Sequence, residues 1–320
     1  MSTALRKVMF KAGLTTLILI VAASPGLCQQ TLRKKIDSLF MIASSAELKV
    51  RDQVEPAKDS IAALGVDAVP ILVGKLGTKS ARDRWTVIQI LKKIGSPAVP
   101  HLVKTLKNPD ALIVQRVCWA LGDIGDSAAV DPLIAVTSHS KWQVREQALG
   151  ALGDIGSERA SEAVVSGFDD EVGQVRKAAV VSSGEIGVSV AISRLVHMLG
   201  DEFYGARLSA IDALLKMDTS EVTIIVADSL TSANSLVGDL GCTVLGRIGG
   251  DRALEILVGE AQGGDPSRRA HALLAIIEAD PLDNCGYRET IVSDETDRFV
   301  LLKINSAIYS VTHAGKETQE

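Results

Sequence analysis

Aromatic residues are scarce: five Phe, three Tyr and three Trp among 320 residues, although 47% of the chain is hydrophobic. The apolar mass is therefore almost wholly Ala, Val, Ile and Leu. Cysteine is scarce too: of four, Cys28 lies in the N-terminal segment, and the other three, an odd number, imply no disulfide framework. The 27 glycines and nine prolines follow no triplet period, which excludes collagen. Bases are not in excess, since 34 Lys and Arg stand against 39 Asp and Glu with no basic tract. That balance argues against nucleic acid and against anionic membrane surfaces as partners. A phosphate loop, a nucleophile elbow and a CxxC pair are all missing. What remains, ample aliphatic residues with 23% charge, excludes disorder, because there is enough apolar surface to offset chain entropy.

The N-terminus has its own composition. Arg6, Lys7 and Lys11 precede an apolar run from Leu14 to Ala23, and Gly26 and Cys28 are small residues suited to cleavage before Gln29. Residues 1–28 thus read as a secretory signal, and the chain as exported to the periplasm or the cell exterior. The rival reading is a retained membrane anchor, because Ala12 to Cys28 carries no charge. Leu27 is not the small residue that normally precedes a lipidated cysteine. Loss of Arg6, Lys7 and Lys11 with the signal moves the formal charge from −5 to −8. No later segment is apolar enough to span a bilayer, so no membrane insertion is expected after cleavage.

Self-comparison reveals a repeat. Closing residues of similar segments (LKKIG, LGDIG, LGDIG, SGEIG, LGRIG) fall at 65, 95, 125, 156, 187, 218, 249 and 280, at intervals of 30, 30 and then 31. An apolar residue recurs 23 positions before each closure: Leu72, Leu102, Leu133, Val164, Leu195, Val226 and Leu257. The length change therefore lies in the turn between units, where insertions are tolerated. Each unit reads as two short helices with a loop at sites such as Asn108 to Asp110 and Gly263 to Pro266.

The second helix has a wide apolar face. Counting back from each closure, positions minus eight, minus seven, minus five, minus four and minus one are apolar or small, with Ser182 and Ser183 as polar members. Glycines at minus three (Gly122, Gly153, Gly184, Gly246) cost helix propensity and predict close approach of a neighbouring helix. Thin layers of this kind leave little room for aromatic rings, which accounts for the composition.

The pattern resembles the HEAT-repeat superfamily, in particular the short repeats named after phycobilin lyases. Val144-Arg145, Ala148 and the ALGDIG run from Ala151 to Gly156 form the best copy, and Val175-Arg176 and Ala206-Arg207 follow it. The resemblance covers about residues 50–280 and implies an all-α fold. That fold is a right-handed α-α superhelix, a HEAT-like solenoid of about eight two-helix repeats of 30–31 residues. Residues 29–65 are then an N-terminal cap with an irregular first repeat around Pro56, 66–280 the array, and 281–320 a C-terminal cap and tail. Helices are expected over Thr31 to Ala43 and Asp294 to Val311, with His313 to Glu320 frayed. Within the superfamily, deoxyhypusine hydroxylases carry iron on His-Glu pairs. The histidines here precede Leu102, Ser140, Met198, Ala272 and Ala314, so that chemistry is not implied and no metal or cofactor is expected.

Two sets of side chains are candidates. Positions minus two, minus six and minus nine share one face and vary freely, as a groove should. From these come the candidate partner-binding residues Gln89, Lys93, Trp119, Asp123, Asp154, Glu185, Asp212, Lys216 and Arg247. Position minus eleven repeats arginine as Arg84, Arg145, Arg176, Arg207 and Arg269, interrupted at Val114 and Gly238. Such a row either grips acidic partners or forms a structural ladder bonding loop carbonyls and acids of adjacent units; Asp170 and Asp201 suit the ladder. Cys118 and Cys242 share register minus seven four repeats apart, too far for a disulfide, whereas Cys285 could approach Cys242. The combined expectation is a monomeric, non-catalytic scaffold or adaptor that binds a protein or peptide. The alternatives are an enzyme of the lyase or metal-hydroxylase type and a purely structural envelope component.

Overall fold

The closing glycines end helices. Gly65, Gly95, Gly125, Gly156, Gly187 and Gly249 have φ between 61° and 76°, a left-handed conformation that a Cβ would oppose. In five of them the amide still bonds the carbonyl four residues back, from Leu91, Leu121, Leu152, Ser183 and Leu245. One closure differs. Asp218 has φ −60° and its carboxylate accepts the N–H groups of Ser220 and Glu221, so it starts the following helix. The helix before it stops at Leu214.

The computed structural model describes residues 25–279 and 295–313, which hold 17 α-helices and no strand. The chain falls into two compact units, residues 1–129 and 130–320. The first holds α1 (Pro25–Ala43), α2 (Arg51–Ala62), α3 (Val69–Lys75), α4 (Ala81–Ile94), α5 (Val99–Thr105) and α6 (Ala111–Ile124). The second opens with α7 (Val130–Val136), α8 (Trp142–Ile155), α9 (Ser161–Ser166), α10 (Gly173–Ile186) and α11 (Ile192–Met198). It continues through α12 (Tyr204–Leu214), α13 (Thr219–Ser229), α14 (Ser235–Ile248), α15 (Asp251–Ala261), α16 (Pro266–Ala279) and α17 (Arg298–His313).

Most of the signal-like segment, residues 1–24, lies outside the described residues, as do 280–294 and with them Cys285. Helix α1 begins at Pro25, so the cleavage point read from the sequence lies at the end of its first turn. It buries Ile36, Phe40 and Ala43 at helical spacing, and Asp37 holds Lys75 Nζ at 2.5 Å. Pro56 lies inside α2 without ending it. At the other end α17 starts from Asp297, whose carboxylate accepts the Phe299 N–H, and buries Val300 and Ile304.

The recurring apolar residue of the first helices is the hub of each layer. Leu72, Leu102, Leu133, Val164, Leu195, Val226 and Leu257 are all fully buried. Burying such a side chain contributes about 1.5–3 kcal/mol before entropy is counted. In the second helices, positions minus eight, minus seven, minus five and minus four are buried in all seven complete copies. Minus one is only half-buried throughout, because this last helical residue lies at the rim of the layer.

Helix contact explains three of the four minus-three glycines. A Cβ on Gly153 would stand 2.9 Å from Ser182 Cα, one on Gly184 2.9 Å from Ala213 Cα, and one on Gly246 2.8 Å from the Ala275 carbonyl oxygen. Within the second unit α8, α10 and α12 pack in series, as do α14 and α16, whereas α12 and α14 touch sparingly.

Cys118 and Cys242 are buried free thiols. Burial pushes each thiol pKa up to about 12, which makes them inert packing groups.

Candidate functional site

Two arrangements of side chains stand out, one on the loops and one on the exposed face of the second helices. In the loops, the side chain three residues before the first helical residue repeatedly accepts a backbone N–H. Thr78, Asn108, His139, Asp170, Asp201 and Ser232 do so for Ser80, Asp110, Lys141, Val172, Phe203 and Asn234. Where that acceptor is a carboxylate, an arginine 25 residues upstream seizes it. Arg145 Nε and Nη2 bond Asp170 at 2.7 and 2.8 Å, and Arg176 bonds Asp201 at 2.8 and 2.9 Å. The remaining Nη1 donates to the carbonyl six residues before the arginine, His139 for Arg145 and Asp170 for Arg176. Each aspartate is thus a three-way junction of helix cap, ion pair and loop carbonyl. Bidentate charge-assisted bonds of this kind fix geometry strongly.

Arg269 repeats the scheme with Glu295 and the carbonyls of Gly263 and Gly264. Among the described residues Arg84 bonds only the Lys79 carbonyl, and Arg207 only the carbonyls of Asp201 and Glu202. Near the interruptions at Val114 and Gly238, arginines outside the register tie loops. Arg116 donates to the carbonyls of Leu76 and Thr78, and Arg268 to that of Leu230 and to Asp239. Arg268 also fills the space over Gly238, which a Cβ would occupy. Sequence reasoning missed both arginines, because neither shares the minus-eleven spacing.

The ladder shapes the response to acid. Burial alone would raise the Asp170 pKa, but Arg145, the Val172 amide and the charges of Arg145 and Arg176 outweigh it and hold the pKa below 3.8. Hydrogen bonds from Arg269 hold the Glu295 carboxyl below 4.5. A carboxylate with a depressed folded-state pKa stabilises the fold above its unfolded pKa, and that contribution vanishes as pH falls through the depressed value. The urea midpoint should therefore fall as the pH drops below about 4, and Arg145→Met should make that fall shallower. An acid limb of unchanged steepness in the variant would remove Asp170 from this account.

The second arrangement is a groove between α8 and α10, about 640 Å³ in volume. Its floor is small residues, Gly150, Gly153, Ala178 and Ser182, and its rim carries Glu146, Asp154, Glu185 and Lys177. Ser182 Oγ donates to the Leu149 carbonyl at 2.8 Å, which satisfies the one polar floor side chain. Burial raises the Glu146 pKa and Lys177 opposes the rise.

Of the nine groove candidates, Asp154 and Glu185 line this cavity. Lys216 binds Glu185 one repeat away, and Arg247 lies 3.8 Å from Asp212 and 3.5 Å from Glu278. In the first unit Lys93 binds Asp59 and Glu55, and Asp123 lies 3.8 Å from Lys92. Gln89 and Trp119 are half-buried. Trp119 packs on Trp85 with ring centroids 5.7 Å apart, and Trp85 is the more open of the two, 48% exposed.

Up to Leu208, register minus ten is exposed or half-buried and supplies Trp85, Glu146 and Lys177, although it is buried at Asp239 and Ala270; in the same stretch minus nine includes buried Thr86 and Ser209. The i, i+4 spacing of minus two, minus six and minus ten was the available signal. Among the described residues no group of three or more His, Cys, Asp or Glu is placed to hold a metal ion.

These layers define the class: an all-α array of two-helix repeats with a HEAT-like solenoid fold. A family model described as HEAT repeats matches residues 99–184, so that stretch carries repeats of this type. Similar solved structures include the E. coli protein YibA, 17% identical, covering 83% of this chain and 98% of that one at a TM-score of 0.49. The CpcE–CpcF complex of phycocyanin lyase from Nostoc is 19% identical, covering 70% and 92% at 0.41. Human deoxyhypusine hydroxylase is 18% identical, covering 81% and 99% at 0.35. No curated protein matches the chain.

Proposed function

We propose that this HEAT-repeat chain is an exported, non-catalytic scaffold that holds a protein or peptide against the exposed face of α8 and α10. The observation that carries the reading is the groove between those helices. Its floor of glycine, alanine and serine lets a backbone approach closely, and its rim has three carboxylates, one of them (Glu185) paired with Lys216, against one rim lysine. Charge complementarity of that kind selects partners more than it adds raw affinity. The preferred partner segment is accordingly extended and basic. Export is supported by the positive start and apolar run of residues 1–28. Repeat arrays present rigid surfaces of this sort, although a fold by itself assigns no function.

The test is selection from a displayed peptide library against purified protein, followed by the Asp154→Lys/Glu185→Lys double variant. Recovered peptides should be rich in Lys and Arg and should bind the variant at least about tenfold more weakly, the factor equal to one lost charge-assisted contact. Equal binding by both proteins would sink the groove proposal. Recovery of acidic peptides would reverse its polarity.

A further inference from the structure

The ladder contains a vacancy. Arg145, Arg176 and Arg207 occupy the same place in three successive repeats, and each Nη1 is anchored on the carbonyl six residues before it, at 3.0, 2.8 and 2.6 Å. In the first two the Nε–Nη2 edge chelates a carboxylate 25 residues downstream, Asp170 or Asp201. For Arg207 the equivalent residue is Ser232. Ser232 Oγ still accepts the Asn234 N–H, so it preserves the helix start, but it brings no charge. Among the described residues no carboxylate lies within ion-pair distance of Arg207. A guanidinium is therefore anchored by Nη1 on the same loop carbonyl as its two predecessors, and among the described residues its Nε–Nη2 edge meets no carboxylate.

We propose that Arg207 is a binding site for the carboxylate of an aspartate or glutamate side chain on a partner polypeptide, seated where Asp170 and Asp201 sit in the preceding repeats. Three features select that occupant. A guanidinium fork matches a planar carboxylate bidentately, and the neighbouring repeats show this pairing within the same chain. Tyr204, 63% exposed, lies beside it with its ring centroid 5.3 Å from Arg207 Cζ. Leu208, 42% exposed, follows Tyr204 by one helical turn and extends the apolar margin that a polypeptide side chain would cover. Pre-anchoring by the two carbonyls lowers the ordering cost of the pair.

This inference rests on the scaffold reading only in that the ligand is a polypeptide. The groove test uses basic peptides, so the two fail separately.

The experiment follows the Arg207 Nε–H resonance of ¹⁵N-labelled full chain, assigned by its loss in Arg207→Lys. N-acetyl-aspartate N-methylamide is titrated against it, with the asparagine analogue and inorganic phosphate as parallel probes. The aspartate probe should shift that resonance saturably and the asparagine probe should not. Ser232→Asp, which supplies the missing carboxylate internally, should raise the unfolding temperature and weaken the probe at least about tenfold. Arg207→Lys, which keeps the charge and loses the fork, should weaken aspartate-induced shifts of the neighbouring Tyr204 amide comparably, which serves if Ser232→Asp fails to fold. No saturable shift, or an equal response to asparagine, overturns the proposal. A stronger response to phosphate than to aspartate overturns the polypeptide assignment.

Discussion

Replacing Arg176 by Met should destabilise the protein by about 3–5 kcal/mol, the scale on which a buried charge loses its only counter-ion. The side chains of Arg176 and Asp201 are each only 9% exposed, and the arginine also holds Glu202 and the Asp170 carbonyl. Removing it leaves the Asp201 carboxylate in a poorly solvated position with only the Phe203 amide as donor. Urea unfolding of Arg176→Met beside Arg176→Met/Asp201→Asn separates the causes. The double variant keeps the helix-starting acceptor and drops the stranded charge, so it should recover part of the loss. If the two unfold alike, the stranded charge is not the source of the cost. Arg84 supplies the internal contrast. It shares the register but among the described residues bonds only the Lys79 carbonyl, so Arg84→Met should change stability by no more than about 0.5 kcal/mol.

The second large effect concerns glycine, where a propensity scale gives the wrong sign. Gly246→Ala should destabilise the fold by about 3 kcal/mol, although alanine is the better helix former by about 1 kcal/mol. The added methyl would meet Ala275 at Cβ, O and Cα, at 2.8, 2.8 and 2.9 Å, and two of those atoms are backbone. The two helices would have to separate, loosening every layer between α14 and α16. Gly150→Ala tests the same chemistry where nothing lies within 4 Å of the new methyl. There the helix α8 should gain about 0.5–1 kcal/mol. Thermal unfolding of both variants decides the matter: loss at both sites would mean that the backbone, not inter-helix contact, governs these positions.

Much of this was readable from spacing. The period placed the buried hubs from Leu72 to Leu257, and the minus-three glycines marked where helices touch. Both follow from burial, which repeats with the architecture. Side-chain partners were less legible. Asp170 and Asp201 were visible six residues before an arginine, but that interval describes their carbonyls. Their carboxylates serve the arginine of the preceding repeat, 25 residues upstream. Glu146 and Lys177 escaped notice because minus ten and minus nine differ by one residue, about 100° around a helix. That angle decides whether a side chain faces solvent or the next layer. Arg116 and Arg268 reach 38–40 residues back with long, flexible stems, and no local pattern encodes such a reach.

The interruption of the ladder beyond Arg207 also bears on how the second unit comes apart. A stacked array behaves as a line of nearest-neighbour couplings, and its cooperativity is only as good as the weakest of them. From α8 through α12 each junction combines dense packing with a chelated aspartate. Between α12 and α14 packing is sparse, the aspartate is Ser232, and the closing glycine is Asp218. Three losses coincide at one junction. Segments on either side of it are therefore separate cooperative blocks, and native-state amide exchange should assign them two distinct opening free energies.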